Sequence, residues 1–447
     1  MANRNRKTKQ RAKYEPVAAL VANDAGEIFD LPGYTACAMA GGRVWPLSGQ
    51  DVIPMPRGSE VMYLPDRHPV LHETRTGEPV VLEENPYEPG EALRPVAVFN
   101  SPGYVLRGVC AYAEAANTGW LPLFSYGACG WQGDGMVSAA FRVDWSRRQD
   151  LALMPETKIG AGVKRLRKDL PDNRLARHLE KCALTYGCPA AKNMFVGREE
   201  APLPTAPACN ARCLGCLSLQ KESDIPHSQD RIGFIPTPDE IAEVGLAHLA
   251  RVPHNAVLSF GQGCEGDPLL AAGSIAPAIR LIRAETGAGT INLNTNGGRP
   301  DLLEQCLDAG LESIRVSMNS VREQPYMEYF RPKYDFSAVL ESIDMAGARG
   351  AWVSVNYLNM PGFTDSLKER EALFGFLGSH HVDMIQWRCM NFDPLRYYAA
   401  MGLETDEQPL GMENLLREVR RLHPPLRFGY FNPPKETWAA LPQKHFT

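Results

Sequence analysis

The sequence predicts an α/β protein: a partial (β/α)6 barrel of the TIM type preceded by an N-terminal, mostly β accessory module. Two observations predict the barrel. From about Pro202 onward, short runs rich in apolar and β-branched residues alternate with longer helical patterns at a steady spacing. Those runs suit strands buried on both faces, the habit of a parallel sheet with helical crossovers. A third observation predicts the module: before about residue 150, Gly, Pro and turn residues break up short β-like runs.

Taken in order, residues 1–15 ("MANRNRKTKQRAK" and two more) form a basic leader expected to be disordered. No apolar core and cleavage site follow it, and no apolar run is long enough for a bilayer, so a cytoplasmic protein is expected. Residues 16–150 make the β-rich accessory module, with runs such as "RPVAVFN" and "MVSAAFRVDW", and are expected to cover the barrel mouth or to select substrate. Residues 151–199 are a charged, helix-prone connector, "VKRLRKDLPDNRLARHLEKCALTYG". The barrel spans 200–395. Its six strands are expected at Ala206–Cys209, Ala256–Gly261, Thr290–Asn296, Ser313–Asn319, Trp352–Leu358 and Met384–Met390. Helical patterns fill the gaps. In the first of them Thr237 is an N-cap, Pro238 the first helical residue and Glu240 the partner of a capping box. A helical or irregular extension, 396–447, ends the chain. Chemistry in such a barrel belongs at the C-terminal ends of the strands.

The composition is that of an ordinary globular chain: 447 residues, 44% hydrophobic, 22% charged, net charge −5. This mild acidity, relieved only by the short leader, gives little footing for nucleic acid, which stays a secondary alternative. Eleven cysteines fall short of a secreted disulfide scaffold. In a reducing compartment, closely spaced thiols are more often metal ligands or catalytic groups.

The densest group is "ACNARCLGCLSLQ", where Cys209, Cys213 and Cys216 form a CxxxCxxC loop at the end of the expected first strand. Three thiolates can hold three irons of a [4Fe–4S] cluster and leave the fourth open to a small molecule. A zinc site borrowing His227 or Cys188, or plain buried cysteines, are the alternatives.

At this point the sequence resembles the radical S-adenosylmethionine (radical SAM) superfamily, whose members carry CxxxCxxC after the first strand of a six-fold partial barrel. The resemblance covers roughly residues 200–395. It implies a [4Fe–4S] cluster on Cys209, Cys213 and Cys216, with S-adenosylmethionine on the open iron. It implies reductive cleavage to methionine and a 5′-deoxyadenosyl radical, and a small reductase or ferredoxin-like electron donor. The family often has a bulky residue before the third cysteine, near the adenine. Here that residue is Gly215, so Leu214 or Leu217 is expected to cover the adenine.

The later strand ends supply the other expected cofactor contacts. "GQGCEGDPLL" places Gly266, Asp267 and Pro268 on the last three residues of the family's Gly-Gly-Glu-Pro stretch, with Glu265 in place of the first glycine. "LNTNGG" offers Asn294 and Asn296, "RVSMNS" offers Ser317 and Asn319, "VNYLNMPGFTD" offers Asn356 and "QWRCMNFDP" offers Arg388. The "VNYL" segment is close to relatives of the GTP cyclase of molybdopterin synthesis. Cys264 and Cys389 are candidates for a substrate-side thiol or hydrogen donor. Cys182, Cys188, Cys129 and Cys110 form a possible second cluster set, with buried structural thiols as the default. Competing functions are an RNA-modifying radical SAM enzyme and a non-catalytic zinc-binding protein. The substrate is not legible.

Overall fold

The structure, a computed structural model, describes residues 15–116, 118–218, 220, 224–403 and 408–439. The expected leader, apart from Glu15, and the last eight residues of the C-terminal extension lie outside the described residues.

Residues 18–142 fold as antiparallel strands: a twelve-stranded sheet and a small pair, Tyr104–Leu106 with Ala140–Arg142. The sheet is organised around the thirteen-residue strand Ile28–Ala40, which pairs along its length with four other strands. Pro32 and Gly33 (φ +82°) interrupt that strand, and the register against Ala18–Ala22 shifts there as a bulge requires.

Three helices follow: α1 (Glu156–Asp169), α2 (Arg174–Leu184) and α3 (Pro189–Val196). Asn173 caps α2, its Oδ1 accepting from Ala176 N at 2.9 Å, while its Nδ2 donates to Glu240 O and Glu243 Oε2.

The second sheet is parallel throughout, its strands lying in chain order: β1 (Glu200–Pro202), β2 (Val257–Phe260), β3 (Thr290–Thr295), β4 (Ser313–Met318), β5 (Trp352–Asn359), β6 (Met384–Cys389) and β7 (Arg427–Gly429). Five of these fall on the runs expected from sequence. Two differ. β1 lies at 200–202, and Ala206–Cys209 is a loop. The carbonyls of Ala206 and Ala208 accept from Gly266 N and Asp267 N, and Thr205 N and Ala206 N donate to the Glu265 carboxylate, so these groups are spent outside any ladder. β7 is a seventh strand, drawn from the extension expected to be helical or irregular; its three residues are too few to register as a periodic pattern.

Around the sheet run α4 (Pro238–Arg251), α5 (Ala272–Glu285), α6 (Pro300–Asp308), α7 (Glu323–Phe330), α8 (Phe336–Ala348), α9 (Leu367–Ser379), α10 (Pro394–Ala400) and α11 (Met412–Leu422). The capping box of α4 forms as its sequence predicts: Glu240 N donates to Thr237 Oγ1, and Thr237 N donates to Glu240 Oε2 at 2.8 Å.

The antiparallel region docks on the C-terminal end of β6 and the segment beyond it. Val105, Leu106 and Phe141 share one apolar cluster with Tyr357 and Trp387 of the parallel sheet. Arg67, buried, donates to Asp393 at 2.8 Å, and the Tyr112 hydroxyl donates to the other oxygen of that carboxylate at 2.6 Å. The backbone of Gly362, in the loop after β5, approaches so closely that a Cβ there would lie 2.0 Å from Gly41 N. Among the described residues no helix is long and apolar enough to cross a membrane.

Candidate functional site

The three-cysteine loop leaves the C-terminal end of β1 and is held from two sides. On one side, Gly266 N donates to Ala206 O at 2.6 Å and Asp267 N to Ala208 O at 3.0 Å. A Cβ on Gly266 would lie 1.8 Å from Ala208 O, so only glycine permits the approach. On the other side, Arg212 N and Leu214 N donate to the carbonyls of Phe330 and Tyr329 at the end of α7, and Lys333 N to Asn210 O.

Glu265 is the brace beneath the loop. It is buried and, among the described residues, has no cation paired with it. Its carboxylate accepts from Thr205 N (2.7 Å), Ala206 N (2.9 Å) and Gln262 N (2.7 Å). Burial pushes its pKa up to about 7, against the opposing pull of those N–H groups. Asp267, one methylene shorter than the residue expected there, is also engaged: it accepts from Asn296 N at 2.7 Å and from the Thr295 hydroxyl at 2.9 Å. Burial raises it to about 6. Pro268 begins the short turn that Asp267 caps through Leu269 N.

The thiols themselves suit a metal group. Burial pushes Cys209 up to about 12 and Cys213 well above the ordinary thiol range, and neighbouring thiols of the trio add to both. Binding a cationic iron group would therefore displace protons. The Cys216 sulfur lies 3.3 Å from Ser218 Oγ, and Arg231 Nε donates to that same hydroxyl. Beside the loop lies a cavity of about 540 Å³, lined by Cys209, Asn210, Gln220, Arg231 and Lys333 among others. Three thiols with two cations and a cavity next to them fit a thiolate-held iron–sulfur group with a small ligand.

The expected contacts at the strand ends fall into two sets. Asn296 reaches the loop, donating to Asn210 Oδ1 at 2.7 Å. Asn356 donates to Ser317 Oγ at 3.0 Å, while its buried Oδ1 has no protein partner, as would suit a polar ligand. Asn294 is used up inside the barrel: it donates to the carbonyls of Phe260 and Gly261 and to Ser259 Oγ, and accepts from Asn292 and Asn432. Asn319 is fully buried and ties Pro325 O to the Tyr397 hydroxyl. Arg388 donates to Tyr430 O and lies over the Tyr430 ring. Cys389 donates to Tyr104 O of the antiparallel region.

Other cysteines are distributed differently from the second-cluster expectation. Cys110 and Cys129 are buried in the antiparallel sheet against Val96 O, whereas Cys182 lies beside His178 and Cys264. The four therefore do not form one ligand set. Sequence reasoning also missed several residues. Tyr329 presents its hydroxyl to Gly215, where a Cβ would lie 2.8 Å from it, so the space before the third cysteine is filled from α7. Arg315 is half-buried beside Arg388, and desolvation first, then that neighbouring charge, push it down to about 9. Glu265 was legible only as a departure from a glycine pattern.

Residues 203–376, which hold this loop, match the family model of the radical SAM superfamily. Among individual proteins, the chain is 30% identical over 159 residues to the GTP 3′,8-cyclase of Aquifex aeolicus (strain VF5). That match covers 35% of this chain and 46% of the cyclase, so the chain spans under half the length of that relative. Among solved structures, a radical SAM methyltransferase from Sphaerobacter thermophilus is 14% identical with a TM-score of 0.38, covering 52% of this chain and 66% of that one. Methylornithine synthase is 14% identical with a TM-score of 0.37, covering 63% and 78%.

Proposed function

We propose that this protein is a radical SAM enzyme in which Cys209, Cys213 and Cys216 hold a [4Fe–4S] cluster and the neighbouring cavity takes S-adenosylmethionine. The observation that carries this reading is the three-cysteine loop itself, clamped at the end of β1 by Gly266 and Asp267 and by the end of α7, within the segment that matches the family. When bound, the cluster supplies the electron that cleaves S-adenosylmethionine to methionine and a 5′-deoxyadenosyl radical.

The chain's own residues position and exclude. Gly266 and Glu265 fix the loop. Asn356, with its free Oδ1, and Asn296 offer polar contacts to the cofactor, and Tyr329 closes the space above Gly215. Gly266, Asp267, Pro268, Ser317, Asn319, Asn294 and Arg388 keep their assignment to the cofactor region, with Asn294 and Asn319 acting as supports rather than contacts. The first six strands with their helices make the catalytic half-barrel (200–395). Residues 16–150 are an accessory module over its mouth, 151–199 a connector and 396–447 an extension that adds the edge strand. The electron donor is a small reductase or ferredoxin-like protein.

The test is anaerobic reconstitution with iron and sulfide, followed by dithionite and S-adenosylmethionine. Wild type is expected to bind about four irons per chain and release 5′-deoxyadenosine; Cys213→Ala is expected to lose both. Product formation that survives Cys213→Ala ends the proposal.

A further inference from the structure

We propose that His178, Cys182 and Cys264, completed by Cys188, form a structural zinc site separate from the three-cysteine loop. His178 and Cys182 stand four residues apart on α2, so both project from one face of the helix. Cys264 comes from the loop after β2. His178 Nε2 lies 3.4 Å from the Cys182 sulfur and 3.4 Å from the Cys264 sulfur, and all three donor atoms fall within 4.8 Å of one another. A tetrahedral zinc with ordinary Zn–N and Zn–S bonds places a nitrogen and a sulfur about 3.6 Å apart, and two sulfurs about 3.8 Å apart. Both nitrogen–sulfur distances thus sit near the edge length of such a site, and the two sulfurs lie within 4.8 Å of each other. Cys182 and Cys264 are buried, so water does not compete for the position.

The fourth donor comes from the start of α3. Cys188 is its N-cap, and its backbone N–H donates to Cys182 O at 2.9 Å. Its sulfur does not fall within 4.8 Å of all three other donors, so it completes the sphere by a rotation of its side chain. Three thiolates and one imidazole select zinc among the common divalent ions and close its coordination sphere, the mark of a structural rather than a catalytic site. His178, Cys182 and Cys264, within 4.8 Å of one another, leave no room for a cubane between them. Binding displaces the remaining thiol protons to solvent, and the bound ion keeps its oxidation state.

The position gives the ion a task. Cys264 directly precedes Glu265 and Gly266, the two residues that hold the three-cysteine loop, and Cys264 O accepts from Ile232 N at 2.8 Å. Zinc would staple the connector helices to the brace of the radical SAM domain.

The experiment uses full-length protein expressed with zinc and purified anaerobically under reducing conditions, without reconstitution. Metal is counted by mass spectrometry. About one zinc per chain is expected in wild type. The same is expected in the Cys209→Ala/Cys213→Ala/Cys216→Ala variant, which lacks the cluster ligands. Cys264→Ser and His178→Ala are expected to lower zinc occupancy roughly tenfold, whereas His178→Cys, which keeps a ligand, retains it. Cobalt substitution of the stripped wild type should give tetrahedral d–d bands and a thiolate charge-transfer band that falls by about a third in Cys188→Ser. Zinc-free wild type with Cys182 and Cys264 open to alkylation or joined as a disulfide would overturn the proposal, as would loss of zinc in the triple cluster-loop variant or iron and sulfide in its place. An undiminished charge-transfer band in Cys188→Ser would remove Cys188 from the site.

Discussion

Gly215 and Gly266 both lack side chains for want of space, but the neighbours that take the space differ. At Gly215 the obstacle is the Tyr329 hydroxyl, 2.8 Å from where a Cβ would stand; at Gly266 it is a backbone carbonyl at 1.8 Å. Gly215→Ala should therefore cost about 1–3 kcal/mol of stability and part of the iron loading, and a second change, Tyr329→Phe, should restore some of both. Gly266→Ala has no such remedy, because Ala208 O stays whatever residue stands at 208. Its cluster loading should fall with or without a second substitution. Iron content and denaturant midpoints of the three variants decide it; equal rescue at both glycines would refute the distinction. Glu265 makes a prediction in pH. Its folded pKa, raised to about 7 from 4.5, means the native state holds a proton that the unfolded chain has already lost. Its contribution thus falls as pH rises from about 4.5 to 7, by something on the order of 3 kcal/mol, and is flat above. The unfolding free energy of wild type minus that of Glu265→Gln, followed across that range, should slope downward. At this scale the sequence was most legible where chemistry is local. Three thiols within eight residues announce themselves. Tyr329 opposite Gly215, or Cys264 opposite His178, arises only when separate elements meet.

Among the elements, those with their own punctuation could be read in advance. Thr237, Pro238 and Glu240 announce α4, and the apolar runs at 257, 290, 313, 352 and 384 announce β2 to β6. β1 and β7 escaped because each has three residues, and their strand character comes from neighbours rather than from pattern. α7 also went unread: eight residues rich in aromatics, with no side-chain cap, carry little helical signature. The connector helix α2 is held more firmly than its exposed charges imply. Asn173 both caps α2 and donates to Glu240 O and Glu243 Oε2 of α4, so one side chain joins two helices. Asn173→Ala should cost about 1–2 kcal/mol, the cap plus a share of the bridge. Asn173→Asp keeps the cap but sets a buried carboxylate against Glu240 O and the Glu243 carboxylate, so it should cost more than Asn173→Ala. Thermal melts of the two variants should rank Asn173→Asp as the less stable; a wild-type melting temperature in Asn173→Ala would leave the cap without energetic weight.

For the molecule as a whole, the question is what fastens the antiparallel region to the end of β6. Shared apolar packing supplies area, but Arg67, Tyr112 and Asp393 supply direction: a guanidinium and a phenol both donate to one buried carboxylate across a sequence gap of roughly three hundred residues. Asp393 does double duty, because it also receives Arg396 N as the cap of α10. Removing Arg67 leaves the buried carboxylate with only the more distant Arg396 guanidinium, Nε at 3.8 Å, so Arg67→Met should cost on the order of 3 kcal/mol. Adding Asp393→Asn should recover part of that loss, since asparagine still caps the helix and leaves no charge to bury. Tyr112→Phe removes a single hydrogen bond and should cost nearer 1 kcal/mol. Urea midpoints for the four proteins, paired with limited proteolysis of residues 16–150, separate the possibilities. If the ionic contact fixes the docking, Arg67→Met loosens the antiparallel region before the parallel sheet unfolds, and the double variant tightens it again. If all variants melt together at the wild-type midpoint, apolar packing alone holds the two sheets, and the charged contact follows from docking rather than directing it.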